Sequence, residues 1–476
     1  MPLTDRRGRM RAVLVAVVAA AAVLAAMRIA RLPAAPGAFA VPALAAASGG
    51  ESVPSLAGAA APAEFPTARA AAPADPAVVP PARSVSARAG AAVHAASAVL
   101  LRDGRLRAAW FSGSREGAAD VEIRTAVYDP ALGRWSAEST ALTRAALARG
   151  LARSIKKLGN PVIVRAADGR LHLYVVSVTL GGWAGSAINR LVSDDEGVTW
   201  QDPRRLVTSP FGNLGTLVKG RPLPLADGQV GLPVYHELAT RFPEWLRLDA
   251  DGRVLDRIRF PHGEFSLQPV VLAVDDRHAV AFMRQGVPQP PQRVTTASTA
   301  DAGRSWSPVV QTTLPNPNAA VAVLATRAGD WWMVFNDSEL DRGNLSLAWA
   351  RAPAPGEVAD WHRVAVLDGV PPPQRAPIRA AEHGPLLAAA AAAMPDPAGA
   401  TREADARAVA EAAGRQLCHP AGGDTWCNRE YSYPSLIEGA DGSVHVLYTW
   451  HRARIAHRVL PPDWLAARRS ADGAPR

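Results

Sequence analysis

The chain has 476 residues, 48% of them hydrophobic, and carries 52 Lys and Arg against 43 Asp and Glu, a formal charge of +9. That charge allows an anionic partner, but no compact Lys/Arg run with interleaved aromatics follows the N-terminus, which disfavours nucleic acid. Two cysteines only exclude a disulfide scaffold and a Cys-rich zinc site, and without H-E-x-x-H or a phosphate-binding Gly-rich loop the metalloprotease and nucleotide readings lack support; no metal and no cofactor is expected.

Residues 1–32 open with Arg6, Arg7, Arg9 and Arg11, then an apolar run from Ala12 to Met27. A basic segment before a short apolar one reads as an export signal. The run is shorter than the ~20 residues a relaxed spanning helix prefers. Arg28 and Arg31 interrupt the approach to a cleavage site such as Ala38-Phe39-Ala40. A cleaved signal peptide and an uncleaved signal-anchor both remain open. Either places the remainder outside the cytoplasm, in the periplasm or beyond, and only the second keeps it at the inner membrane. Residues 33–90 are Ala/Pro-rich without periodicity, the pattern of a disordered tether.

From residue 91 the pattern changes to short apolar runs joined by polar turns. Asp103-Gly104, Asp168-Gly169, Asp227-Gly228, Asp275-Asp276 and Asp441-Gly442 punctuate it, with Gly329-Asp330 reversed. Until the last gap, turns recur at intervals of about 50–65 residues, the length of a four-stranded propeller blade with its loops. Trp135, Trp200, Trp306 and Trp361 keep the same interval. The reading is all-β, a six-bladed β-propeller over residues 91–462, with Arg454–Leu460 closing the ring beside the first strand. Residues 370–428 form an Ala-rich insertion, helical or irregular, and 463–476 a C-terminal tail. Cys418 and Cys427 flank the far end of the insertion and, in an oxidising compartment, would staple it.

Two segments share the pattern S/T-x-D-x-G-x-S/T-W: Ser193–Trp200 and Thr299–Trp306. Such a turn locks itself: Asp folds onto backbone N–H groups, Gly takes a positive φ, and Trp buries its ring beneath. The pattern resembles the Asp-box of the sialidase (neuraminidase) superfamily. With His94-Ala95-Ala96-Ser97, Tyr235-His236-Glu237, Asn316-Pro317-Asn318 and Tyr431–Leu436, the chain is similar to that superfamily's bacterial predicted-neuraminidase branch with a BNR-repeat-like domain. The resemblance implies a sialidase-like propeller whose Asp-boxes sit on the rim, and whose chemistry lies at the mouth of the axis.

It also implies roles. Arg284 and Arg342 match the second and third arginines that bind a sugar carboxylate, whereas His94 stands where the first belongs. Arg115 is a substitute anion binder. Asp120 corresponds to the acid/base. Tyr433, by alignment on the following strand, or Tyr431, by its Tyr-Ser pair, corresponds to the nucleophile. Gln268 occupies the place of the Glu that activates that Tyr, so Glu237 or Glu430 must take over. His236 and Glu237 end an apolar strand facing the cleft, and Asn316 and Asn318 offer amides to sugar hydroxyls on a proline-fixed loop.

The expected function is an exported exo-glycosidase that removes an acidic sugar, sialic acid by default, from glycans. A hydrolase or lyase for another acidic polysaccharide, and a non-catalytic carbohydrate-binding propeller, are the alternatives.

Overall fold

The computed structural model describes residues 15, 17–21, 37–41, 78–86, 90–208, 215–238, 240–286, 291–370, 377–394 and 403–472. The chain divides into two units, one ending at Pro36 and one from Gly37 onward. Most of the expected signal and tether lies outside the described residues; those described before Pro36 are helical. No described helix is long and apolar enough to cross a membrane.

The second unit is a six-bladed propeller of antiparallel sheets, each with four strand positions from the axis outward. The inner strands are Ala92–Leu100, Lys157–Arg165, Thr216–Val218 continued by Leu223–Pro224, Ser266–Ala273, Ala322–Ala325 and Tyr431–Glu438. Many strands read as continuous apolar runs because both faces are covered; Leu171–Val178 is buried at every position. Six apolar layers fill the six gaps between neighbouring blades. Trp110 and Ile455 meet between the sixth and first, Phe111 and Leu173 between the first and second. Tyr174 and Leu232 follow in the next gap, then Trp245 with Met283, Phe282 with Trp331, and Trp332 with Tyr448. Burial at ~25 cal/mol per Å² in every gap makes the ring cohesive without a central core.

Both Asp-box turns form as read. Asp195 accepts from Ser193 Oγ (2.7 Å), Thr199 N (2.9 Å) and Thr199 Oγ1 (2.6 Å), and Gly197 sits at φ 86°. Asp301 repeats this with Thr299 Oγ1, Ser305 N and Ser305 Oγ, and Gly303 at φ 83°. Trp306 is buried, stacked on Phe260, whereas Trp200 is only half covered.

The structure corrects three boundaries and fills in the insertion. The ring closes through Arg83–Ser84, which pairs with Arg454–Leu460 as the outermost strand of the sixth blade, so the last strand packs near Ala92–Leu100 across the blade gap without pairing with it. The expected tether thus contributes to the propeller, and Phe39 within it is buried edge-on against Trp245. The described residues of the insertion are largely helical, as one of the two expected readings has it: helices Ala380–Ala392 and Glu403–Leu417, with a small sheet of Ile378–Arg379, Cys418–Ala421 and Asp424–Cys427. A Cys418–Cys427 disulfide staples that sheet. The expected tail is a helix, Pro462–Asp472, which buries Trp464 and Leu465 against the fifth and sixth blades because its apolar side chains have a layer to join.

Candidate active site

The inner strands share one local device. In four blades the ladder slips by a bulge near the strand entry: between His94 and Ser97, Gly159 and Val162, Leu267 and Val270, and Ser432 and Ser435. The bulged residues Ala95, Asn160, Gln268 and Tyr433 take φ values of 57°, 42°, 56° and 51°. Asn318, at 55°, precedes the fifth inner strand, and the third is interrupted between Val218 and Leu223. A bulge re-aims a side chain, and here it brings residues of separate blades together at the axis.

Tyr433 stands at the centre. Its hydroxyl oxygen accepts from Gln268 Nε2 at 2.9 Å and lies 3.4 Å from Arg284 Nη1 as donor. Gln268 Nε2 also donates to Tyr235 at 3.2 Å, as Asn160 Nδ2 does at 3.1 Å. His94 packs on Tyr433 with ring centroids 4.1 Å apart. From the third blade, Lys219 reaches Pro434 O at 3.1 Å and lies 5.9 Å from the Tyr433 ring centre. Burial lowers the Lys219 pKa to about 8. Burial, then Arg452, also pushes His94 well below the usual imidazole range, leaving a neutral ring whose Nδ1 has no partner. Burial works against charge on Arg284, but the oxygens of Tyr433, Tyr235 and Glu237 raise its pKa.

A second cluster adjoins the first. Glu430 is paired with Arg342 (3.2 Å) and Arg452 (2.8 Å) and accepts from Ser432 Oγ at 2.6 Å. Burial pulls its carboxyl up, but Arg452 and Arg342 hold it well below the usual carboxylate range. Arg452 also pairs with Glu116, and its carbonyl accepts from Val93 N, tying the sixth blade to the first.

The sequence-derived candidates therefore divide. His94, Arg284 and Tyr433 converge, and Glu237 lies in the field of Tyr235 and Arg284. Arg342 is held by Glu430 and by Asn318 O and acts electrostatically on His94. Tyr431 is not at the axis. It alternates to the blade face, buried in the apolar layer beside His451, because the bulge falls two residues later. Asn316 is fully buried and spends its amide on Ala319, bracing its own loop. His236 stacks on Phe242, its ring centroid 4.8 Å away, on the opposite side of its strand from Tyr235. Asp120 is exposed and accepts from Ser114 N and Oγ, which closes the loop that also carries exposed Arg115. Glu430 is too firmly paired to serve as a base. Sequence reasoning missed Asn160, Lys219, Tyr235 and Arg452. The recurring residue-Pro pairs Asn160-Pro161, Gln268-Pro269 and Tyr433-Pro434 were the available signal.

His94 Nδ1, Gln268 Oε1, Arg284 Nε and Asn318 Oδ1 are buried at this mouth without partners among the described residues. Such a concentration of orphaned polar atoms suits a polar ligand. A separate cavity of about 310 Å³, lined by His278, Ser298, Trp306 and Glu357, opens at the second Asp-box turn, away from these groups.

The fold and this mouth define a sialidase-like propeller. The model of the BNR repeat-like domain matches residues 104–446, more than half of the chain, and the chain belongs to that family. Among solved structures, a Dyadobacter fermentans protein of unknown function aligns with TM-score 0.55 and 11% identity, over 79% of this chain and 97% of its own. The NanB sialidase of Streptococcus pneumoniae aligns with TM-score 0.54 and 10% identity, over 80% and 69%. The Ruminococcus gnavus intramolecular trans-sialidase, solved with oseltamivir carboxylate, gives 0.54 and 12%, over 78% and 95%. At these identities the likeness is one of fold. No curated protein matches the chain.

Proposed function

We propose that this chain is an exported, sialidase-like enzyme that takes a carboxylated sugar into the axial mouth and breaks its glycosidic bond. The observation that carries the reading is the Tyr433 oxygen, held by Gln268 and Arg284 at the axis, with Lys219 beneath. Arg284 and Lys219 supply charge for the sugar carboxylate, and the partnerless atoms meet its hydroxyls. A sialoside is the default substrate, because solved sialidases share the fold. Export rests on the basic-then-apolar N-terminus.

The test is turnover and binding on a panel of sialosides and acidic polysaccharides. Tyr433→Phe is expected to abolish turnover and retain binding. Arg284→Ala is expected to weaken binding by about 1.5–3 kcal/mol, the loss of charged hydrogen bonds. A panel without binding to any carboxylated glycan rejects the reading. A reporter fused after residue 90 and active only in the cytoplasm rejects export. The substitution of Gln268 for an activating carboxylate favours one second reading, a propeller that binds acidic glycans without cleaving them.

A further inference from the structure

The donors around Tyr433 are an amide and cations, and among the described residues no carboxylate hydrogen-bonds its hydroxyl. Two carboxylates beside the mouth are held in ion pairs, Glu430 by Arg342 and Arg452 and Glu116 by Arg452, and Asp120 accepts from Ser114 on its exposed loop. Glu237 interacts electrostatically with Tyr235 and Arg284. Hydrolysis through a tyrosine nucleophile requires a carboxylate to take the phenol proton and a carboxylic acid to protonate the leaving oxygen. The groups at this axis meet a different demand. They stabilise negative charge, on the phenol oxygen and on a bound carboxylate.

We propose that bond cleavage at this axis is a β-elimination, acting on a polysaccharide that contains a uronate linked through its O4. The proposal rests on the reading that a carboxylated sugar binds at the mouth. Arg284, whose Nε has no partner among the described residues, and Lys219, which donates to Pro434 O, neutralise the uronate carboxylate. That acidifies the proton on the adjacent carbon, C5. The step uses Tyr433 as its phenolate, the oxygen that Gln268 and Arg284 meet, to take this proton. The C5–H electron pair becomes the C4=C5 double bond as the C4–O4 bond breaks. O4 leaves with that bond's electron pair and takes the proton back from Tyr433, which regenerates the phenolate. No water is consumed and nothing is oxidised. The products are an unsaturated uronosyl end and a sugar with a free anomeric hydroxyl. His94, neutral and packed on the Tyr433 ring, holds the base in place without competing for the carboxylate.

The full chain is to be incubated with polygalacturonate, alginate, an O4-linked glucuronan and sialyllactose. Products are followed by the ultraviolet absorbance of the conjugated uronate and by chromatography of released sugars. Elimination predicts an absorbing product from one of the uronans, lost in Tyr433→Phe. It also predicts that Gln268→Glu is slower by at least about tenfold, since a second anion would face both phenolate and substrate. Thermal melts confirm that the variants are folded. Free sialic acid, or a saturated uronic acid with Gln268→Glu faster than the parent, overturns elimination and leaves acidic-sugar cleavage standing. Binding without cleavage also overturns it and leaves a binding module. Neither binding nor cleavage of any of the four overturns both readings.

Discussion

Lys219 of the third blade donates from Nζ to the carbonyl oxygen of Pro434 in the sixth, 3.1 Å away, so one buried ammonium links two blades. A single hydrogen bond does not replace the hydration of a charge. Burial brings the folded pKa down to about 8, below the ordinary lysine value. The penalty is fully present below pH 8 and is relieved as pH rises towards the unfolded pKa near ~10.4. Its size is about 3 kcal/mol. Lys219→Met is expected to raise stability at neutral pH by about 1–3 kcal/mol in urea unfolding while weakening the binding of acidic sugars. A destabilised variant would contradict the account.

The two neighbouring tyrosines should separate cleanly. Tyr433→Phe removes an oxygen that meets Gln268 and Arg284, and turnover is expected to fall by at least about a hundredfold with little change in melting temperature. Tyr431→Phe removes only a hydroxyl from a side chain in an apolar layer, so activity should persist. Steady-state kinetics on both variants decides. Loss of activity in Tyr431→Phe alone would reverse the assignment.

Acid should destabilise the ring through a buried imidazole pair. Trp135 Nε1 donates to His457 Nδ1 at 3.1 Å, which leaves His457 Nε2–H to donate to His445 Nδ1 at 2.9 Å. Both rings must therefore be neutral, and burial lowers His445 to about 4 and His457 well below its ordinary range. Because the folded pKa values are depressed, the stability is fully present above the unfolded value near ~6.5 and is lost as pH falls towards about 4. The tryptophan-fluorescence melting temperature should drop mainly within that window. A flat profile there would refute the linkage.

Gly303→Ala should destabilise without touching the site. The residue sits at φ 83°, and a Cβ would come within 2.7 Å of Trp245 Nε1, in a ring too buried to yield. Strain and crowding together predict a loss of about 2–3 kcal/mol. Chemical denaturation measures it. A stability unchanged from the parent would mean that the turn tolerates a side chain.

Replacing Cys418 and Cys427 by Ser should cost about 2–3 kcal/mol, the expected effect of releasing a short closed loop. Protection of the insertion amides in hydrogen exchange would fall first. Unchanged protection would show that packing of Leu387, Val409 and Ala413 alone holds the module.

The Asp-box turns could be read because all their partners lie within seven residues: Asp195 is satisfied by Ser193 and Thr199 whatever the rest of the chain does. The six-blade count followed from turn spacing for the same local reason. The axis was harder. Asn160, Gln268 and Tyr433 each precede proline, a context that favours extended backbone, yet all three adopt positive φ because the ring imposes a bulge. Propensity therefore points their side chains elsewhere. Arg452 follows His451, and both residues have positive φ, at 54° and 48°. Its ion pair with Glu116, across the closure of the ring, left no trace at sequence level. The closing strand escaped notice because two residues, Arg83 and Ser84, carry no periodicity.

The entry bulge of four blades separates two kinds of inheritance. Ladder pairing and the apolar layers depend on residues beyond the slip, whereas Ala95, Asn160, Gln268 and Tyr433 project from it. A single codon in each of these four blades can then exchange what faces the axis while the scaffold stays intact. Gln268 beside Tyr433 is one setting of that array. Its neighbours in the ring offer further positions at which a new substrate preference could arise stepwise, each step tolerated by the fold before it is useful.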